Sequence, residues 1–466
     1  MKLEYFLKLA VAGTLCLSIT SSSSVAQPPG VSSKIQRLVE NLAPTINVAV
    51  VDLRDGSTVY QHRADEKVKP ASIMKTITSS VALSMLGPDY HFRTKFLIDP
   101  GTGKAGVIPT LYVKGGGDPS LTTEDMIMIS RRIRRLGIRQ IGRVVVDDSL
   151  FDIDKSRVGE RAYEAGASAT AFNFNTLGFD ICPTEIGRPA QVLADPHELP
   201  ISLMGKIITS GKRNAYYQIN DESHTAGGIS FSLKGEVKKS PHCQTIYRSI
   251  HDPATYLGGA LIGFLSRGDI KVKQKTPILG FAPRNARILI DHASKPLSQI
   301  VWDLNHYSTN MIAEQLVYQV GFSRTDKLSH DTGLQRMGIY LERLGFPSTS
   351  FELYDGSGLS HSNRVTASIM ASVLKDVYKN KVIWPEFESS LAVMGRSGTL
   401  RKRLRGLKGG VIRGKTGTLD NVSSLAAYVF SDTGYKYAFV SIANGSAVRR
   451  AKQFEEELAK LLLLGK

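Results

Sequence analysis

The sequence predicts an α/β (α+β) protein in which helices and β hairpins at the two ends of the chain flank a long strand-rich insertion. Three patterns point there. Residues 47–53 are β-rich, turn at Arg54-Asp55-Gly56-Ser57 and return over 58–62, which reads as a hairpin. Residues 426–430 and 435–442 repeat the pattern around Ser431-Asp432-Thr433-Gly434. Between the two, short strands alternate with turns over 92–294, and helical periodicity takes over after Pro296.

At the start, Lys2 and Lys8 precede an apolar stretch over 9–19, and Ser24-Val25-Ala26 offers small residues for cleavage before Gln27. That is the plan of a secretory signal peptide over 1–26. The apolar run is too short for a membrane span, and Leu15 before Cys16 argues against a lipoprotein. A short helix is expected over 36–42. After the first hairpin, Lys69-Pro70-Ala71-Ser72 leads into a helical run over 73–86 that Gly87-Pro88 ends. The insertion reads as strands over 111–114, 144–147 and 229–234 and helices over 123–136 and 256–266. Helices are then expected over 297–305, 311–320, 331–344 and 367–379. A last helix over 449–464 carries an apolar stripe of Phe454, Leu458, Leu461 and Leu462, which fits packing on a sheet or weak association with a membrane surface.

Composition narrows the function. The chain is 42% hydrophobic and 22% charged, the balance of an ordinary globular protein. Its formal charge of +17 draws it to polyanions: wall polymers, anionic lipid or nucleic acid. No zinc-finger spacing or RNA-binding signature accompanies the charge, so nucleic acid is set aside. With the leader removed, Cys182 and Cys243 remain; in an oxidising compartment they can pair as a disulfide or stay as two buried thiols.

Three short motifs carry chemistry. Ser72-Ile73-Met74-Lys75 puts a hydroxyl and an amine on one helix face, a turn apart. A neutral amine can take the hydroxyl proton if burial or positive neighbours lower its pKa, and the helix N-terminus favours the charge that develops. Ser372-Val373-Leu374-Lys375 has the same spacing but falls inside a periodic helix, whereas Ser72 opens one. Ser308-Thr309-Asn310 precedes a helix. Its hydroxyl can relay a proton to a leaving amine and its amide can orient the lysine, although a helix N-cap draws the same residue types. Lys415-Thr416-Gly417-Thr418 opens a strand. An amine and two hydroxyls beside a glycine suit a carboxylate close to the backbone, and a strand N–H there can serve an oxyanion. A basic β turn is its plainer reading, and no phosphate-loop glycines precede it. Each motif has a bland explanation alone; their order and their placement on helix and strand match the motif set of penicillin-reactive serine enzymes.

On these motifs the chain resembles the D-alanyl-D-alanine carboxypeptidase/endopeptidase family, the class C penicillin-binding proteins of the number-four type. The long gap between Lys75 and Ser308 fits that family. So do Gly115-Gly116-Gly117-Asp118-Pro119-Ser120-Leu121, Asp147-Asp148-Ser149-Leu150-Phe151, Asp355-Gly356-Ser357-Gly358-Leu359-Ser360 and Ser397-Gly398-Thr399-Leu400. The resemblance implies a transpeptidase/β-lactamase-like antiparallel sheet between helical layers, built from 28–91 and 295–466, with one domain nested inside another over 92–294. It implies hydrolysis of the terminal D-Ala–D-Ala bond of peptidoglycan peptides, and of D-Ala–diaminopimelate crosslinks, in the periplasm. It also implies acylation by β-lactam antibiotics, and no metal or organic cofactor.

Residue by residue, the resemblance makes Ser72 the acylated nucleophile and Lys75 its base. Ser308 and Asn310 would move protons and position the substrate. Lys415, Thr416, Gly417 and Thr418 would bind its carboxylate, and the N–H groups of Ser72 and Thr418 would form the oxyanion hole. The chain departs from many members by Ser-Thr-Asn in place of Ser-Asp-Asn, with both functional residues kept. His361 follows Ser360 where a number of members place an arginine, with Arg364 as a nearby substitute. Asn175 lies in the segment that helps bind the substrate side chain in relatives. The rival readings are a β-lactamase or esterase on the same scaffold, and a non-catalytic wall-binding protein with a decayed site. The insertion and the basic charge favour the peptidase over the first, and the intact groups of all three motifs oppose the second.

Overall fold

The computed structural model describes residues 30–42, 45–102, 105–153, 159–199, 201–225, 228–321, 327–445 and 448–465. The leader expected over 1–26 lies outside the described residues.

Helix α1 (Val31–Leu42) starts earlier than 36 because Val31, Ile35 and Val39 recur at helical spacing and are buried together. The first hairpin is β1 (Ile46–Asp52) and β2 (Thr58–His62). A 3-10 turn over Ala71–Ile73 then runs into α2 (Met74–Leu86). After the insertion come α3 (Leu297–Tyr307), α4 (Asn310–Val320), α5 (His330–Arg343) and α6 (Ala367–Lys379). The last elements are β3 (Ala392–Val393), β4 (Gly410–Leu419), β5 (Val422–Ser431), β6 (Lys436–Asn444) and α7 (Val448–Leu464).

The six strands make one antiparallel sheet in the order β3-β4-β5-β6-β1-β2, so the two ends of the chain meet where β1 pairs with β6. One face is covered by α1 and α7, the other by α2 and α6 with α3 and α4 behind. Burial on both faces explains why β5 and β6 read as nearly continuous apolar runs. The stripe Phe454, Leu458, Leu461 and Leu462 is buried against this sheet. It therefore offers no apolar face to a membrane, and that expectation does not hold for α7. No described helix is long and apolar enough to cross a membrane.

Within the insertion, Arg93–Ile98, Val107–Lys114, Gln140–Asp147 and Arg287–Ala293, with two short strands, form a mixed six-stranded sheet. Residues 176–249 supply two further sheets of four and three strands. Cys182 and Cys243 are joined as a disulfide there, with Cα atoms 4.1 Å apart. All three sheets share one apolar core with helices Thr123–Arg135 and Pro253–Arg267. The second of these starts at Pro253, a turn ahead of expectation. Asp252 caps it by accepting from the Thr255 N–H, and proline suits the first helical position.

The insertion is anchored beside α4. Ser168 and Gln315 exchange two hydrogen bonds at 3.1 and 2.6 Å, and the rings of Phe151 and Tyr318 stack at 4.8 Å.

Candidate active site

The turn that carries Ser72 is held from two sides. Ala71, just before it, takes a left-handed φ of 51°, a conformation that costs a residue with a Cβ roughly 1–2 kcal/mol. Gly358 (φ 77°) presses on it so closely that a Cβ there would lie 1.9 Å from the Ala71 oxygen. A Cβ on Gly417 of β4 would lie 2.9 Å from both the Pro70 oxygen and the Ser72 nitrogen. The Ser424 hydroxyl of β5 donates to the same Pro70 oxygen at 2.6 Å.

Lys75 follows one turn after Ser72 as the second residue of α2, a helix buried all round from Met74 to Leu83. Its Nζ lies 2.9 Å from Ser72 Oγ, 2.7 Å from Asn310 Oδ1 and 2.6 Å from the Ser357 main-chain oxygen. Burial lowers its pKa to about 8, against the opposing charges of Asp355 and Glu314. The contacts sort its protons. Both carbonyl oxygens can only accept, so they take the two N–H groups of the neutral amine and leave its lone pair for the Ser72 hydroxyl.

Ser308 ends α3 in the left-handed conformation, φ 65°, which turns the chain so that α4 opens at Asn310. Its Oγ accepts from Lys415 Nζ at 2.7 Å, and Lys415 also donates to the Thr416 oxygen at 2.9 Å. Burial, and then the neighbouring Lys75, hold the Lys415 pKa well below the lysine range. Strand β3 pairs with β4 at Arg413 and Gly414; the strand then runs on past the Ser72 turn. There Thr416 Oγ1 donates to Thr399 Oγ1 at 2.9 Å and Thr418 is exposed. Asn310 Nδ2 donates to the Tyr163 oxygen at 2.8 Å, so the insertion reaches the same cleft.

Ser72, Lys75, Ser308, Asn310 and the strand carrying Lys415, Thr416, Gly417 and Thr418 thus converge. Ser372 lies inside α6, as its periodic context suggests. Asn175 and Arg364 both bond within their own loops. Asn175 is fully buried; its Nδ2 donates to the Gly166 oxygen at 2.8 Å and its Oδ1 accepts from the Phe172 N–H at 3.1 Å. It shapes the insertion loop and does not face the cleft. One nitrogen of the Arg364 guanidinium donates to the carbonyls of His361 and Asn363 in its own loop, at 2.7 and 2.9 Å. His361 does line a cavity of about 380 Å³ beside Asn310 and Ser357, together with Tyr163, Tyr354 and Glu314.

Motif reading missed Glu314, His330 and Tyr163, and it gave no role to Ser357 or Thr399. The last two sit in family-like segments, but a main-chain carbonyl leaves no mark in a sequence. Glu314 and His330 are single polar positions on helices, with no spacing to single them out.

The fold matches solved penicillin-binding proteins. Penicillin binding protein 4 (dacB) from Haemophilus influenzae aligns with a TM-score of 0.77 at 22% identity, over 91% of this chain and 99% of that one. The same protein complexed with a novel beta-lactam aligns at 0.74 and 23% identity, over 92% and 98%. The Bd0816 predatory endopeptidase from Bdellovibrio bacteriovorus aligns at 0.55 and 15% identity, over 90% and 93%. The class is therefore a transpeptidase-like sheet protein bearing a large insertion. In sequence, the D-alanyl-D-alanine carboxypeptidase of Actinomadura sp. (strain R39) is 30% identical over 420 residues, 85% of this chain and 77% of that one. Residues 31–463 match the D-Ala-D-Ala carboxypeptidase 3 (S13) family, and the chain belongs to it.

Proposed function

We propose that this serine D-Ala-D-Ala carboxypeptidase acts on peptidoglycan through an acyl-enzyme on Ser72. Neutral Lys75 takes the Ser72 proton as Oγ attacks the carbonyl of the penultimate D-Ala. The N–H groups of Ser72 and Thr418 receive the oxyanion. Ser308 relays the proton that Lys75 took to the leaving nitrogen as the C–N bond breaks and free D-Ala departs, which returns Lys75 to its neutral form. Water then gives a proton to neutral Lys75 as it attacks the ester, and the Lys75 ammonium returns that proton to Ser72 Oγ as the acyl–oxygen bond breaks. Lys415, Thr416 and Thr418 hold the terminal carboxylate, and Gly417 leaves room for it. Asn310 holds Lys75 and the substrate.

The observation that carries this reading is the Lys75 amine, buried between two carbonyl acceptors and the Ser72 hydroxyl. A crosslink offers the same acyl donor with a side-chain amine as leaving group, which supports endopeptidase activity as well. β-Lactams mimic the acyl donor and stay on Ser72. We assign residues 28–91 and 295–466 to the peptidase domain and 92–294 to the nested insertion. The leader pattern supports export to the periplasm and cleavage before Gln27.

Muropeptide digestion and fluorescent-penicillin labelling of wild type and Ser72→Ala test this. Release of D-Ala and a lasting label from wild type alone support it. Equal D-Ala release by both proteins refutes it, and a label that is quickly shed points to a β-lactamase.

A further inference from the structure

We propose that Glu314 is a positioning residue for acylation, holding the Ser357 backbone so that its carbonyl takes one N–H of Lys75. This rests on the reading of Lys75 as the base. Asn310 and Glu314 lie four residues apart on α4 and so share one helix face. Asn310 takes one Lys75 proton directly, through Oδ1 at 2.7 Å. Glu314 acts on the other acceptor: its Oε1 accepts from the Ser357 N–H at 2.8 Å, while the Ser357 oxygen accepts from Lys75 Nζ at 2.6 Å. A single helix face thereby directs both N–H groups of the amine, and the lone pair is left toward Ser72.

The carboxylate is itself held. Its Oε2 lies 2.9 Å from His330 Nε2 on α5 and accepts from the Gly356 N–H at 3.4 Å. Burial pushes the Glu314 carboxyl up, but His330 and these N–H donors outweigh it and keep it below the usual range. The Ser357–Gly358 peptide is fixed on its other side by Asp355, which accepts from the Gly358 N–H at 2.6 Å. Lys75 is therefore faced by Glu314 from α4, Asp355 from the loop and Lys415 from β4. Glu314 is faced by His330 from α5 and by Asp355.

Two contributions can be separated. Glu314→Gln keeps an acceptor for the Ser357 N–H and removes the negative charge; Glu314→Ala removes both. The pH dependence of Ser72 acylation by fluorescent penicillin is the readout, on protein verified as folded by circular dichroism. In Glu314→Gln the rate above the rising limb stays within about threefold of wild type, and the limb moves to lower pH by about half a unit or more, because an anion that favours the ammonium is gone. In Glu314→Ala the plateau falls about 10- to 100-fold, because the amine loses its aim. A folded Ala variant with a wild-type plateau overturns the proposal, as does a Gln variant whose plateau falls as far as that of the Ala variant although the acceptor for the Ser357 N–H is kept. If the Ala variant does not fold, the Gln plateau decides alone. A wild-type chain that takes no label at Ser72 overturns the underlying reading instead, so the two failures are distinct.

Discussion

Ser308 Oγ lies 2.7 Å from the amine of Lys415, while the amine of Lys75 is engaged by Ser72, Asn310 and Ser357. The site holds two serine–lysine pairs, Ser72 with Lys75 and Ser308 with Lys415. Ser308→Ala leaves every contact of Lys75 in place and removes the second pair's hydroxyl. It should slow D-Ala release by about 10²- to 10⁴-fold, with wild-type thermal stability. Unchanged turnover would show that the leaving nitrogen is protonated elsewhere.

Acylation should follow the protonation of Lys75. A pKa of about 8 in place of 10.5 raises the neutral fraction at pH 7 from about three in ten thousand to about one in ten. With neutral Lys75 as the proposed base, the acylation rate should climb about tenfold per pH unit on the acid side and level off above the pKa of Lys75. Stopped-flow β-lactam acylation across pH measures this, and a flat profile would remove Lys75 as the base.

Substrate binding should run the other way with pH. Burial and Lys75 depress the pKa of Lys415, and an arriving carboxylate favours its charged form. KM for a carboxylate-bearing peptide should therefore rise as pH rises and Lys415 loses its proton. A substrate with an amidated terminus should show no such rise.

Asn310→Asp places a negative charge 2.7 Å from Lys75 Nζ in nearly the same shape. It should raise the pKa of Lys75 by about 1–3 units and move the acylation limb to higher pH. Recovery of the wild-type rate at high pH distinguishes this from a misfolded site.

Gly358→Ala brings a Cβ within 1.9 Å of the Ala71 oxygen at a φ of 77°. The Ser72 turn must shift, at a cost of about 2–4 kcal/mol. Urea unfolding should register the loss, and penicillin labelling should fall further than the folded fraction. Equal stability and labelling would mean that the loop over 355–360 does not brace the nucleophile.

Sequence pattern placed β2 and α6 at their observed limits, because both are short periodic segments with clear flanking signals. It missed the first turn of α1 and of the helix at Pro253, where burial and capping extend the element beyond its obvious apolar core. It showed that α7 has an apolar face but not that the sheet covers it. Asn175 shows the same limit: nothing in its sequence context marks it as a buried residue that bonds within its own loop.

Local spacing alone sets one active-site relationship. Ser72 and Lys75 are neighbours because a helix brings residues three apart onto one face. The chain also dictates which reactive groups exist and in what order. It cannot encode locally the meeting of Lys75 with Asn310 across 235 residues, with Ser357 across 282, or of Lys415 with Ser308 across 107. Those contacts arise when α2, α4, the loop over 355–360 and β4 bury a common core. That packing strips water from both amines, and desolvation depends on every surrounding element at once. The spacing that sets an amine beside the Ser72 hydroxyl was written in the chain; the lowered pKa of that amine came from being enclosed.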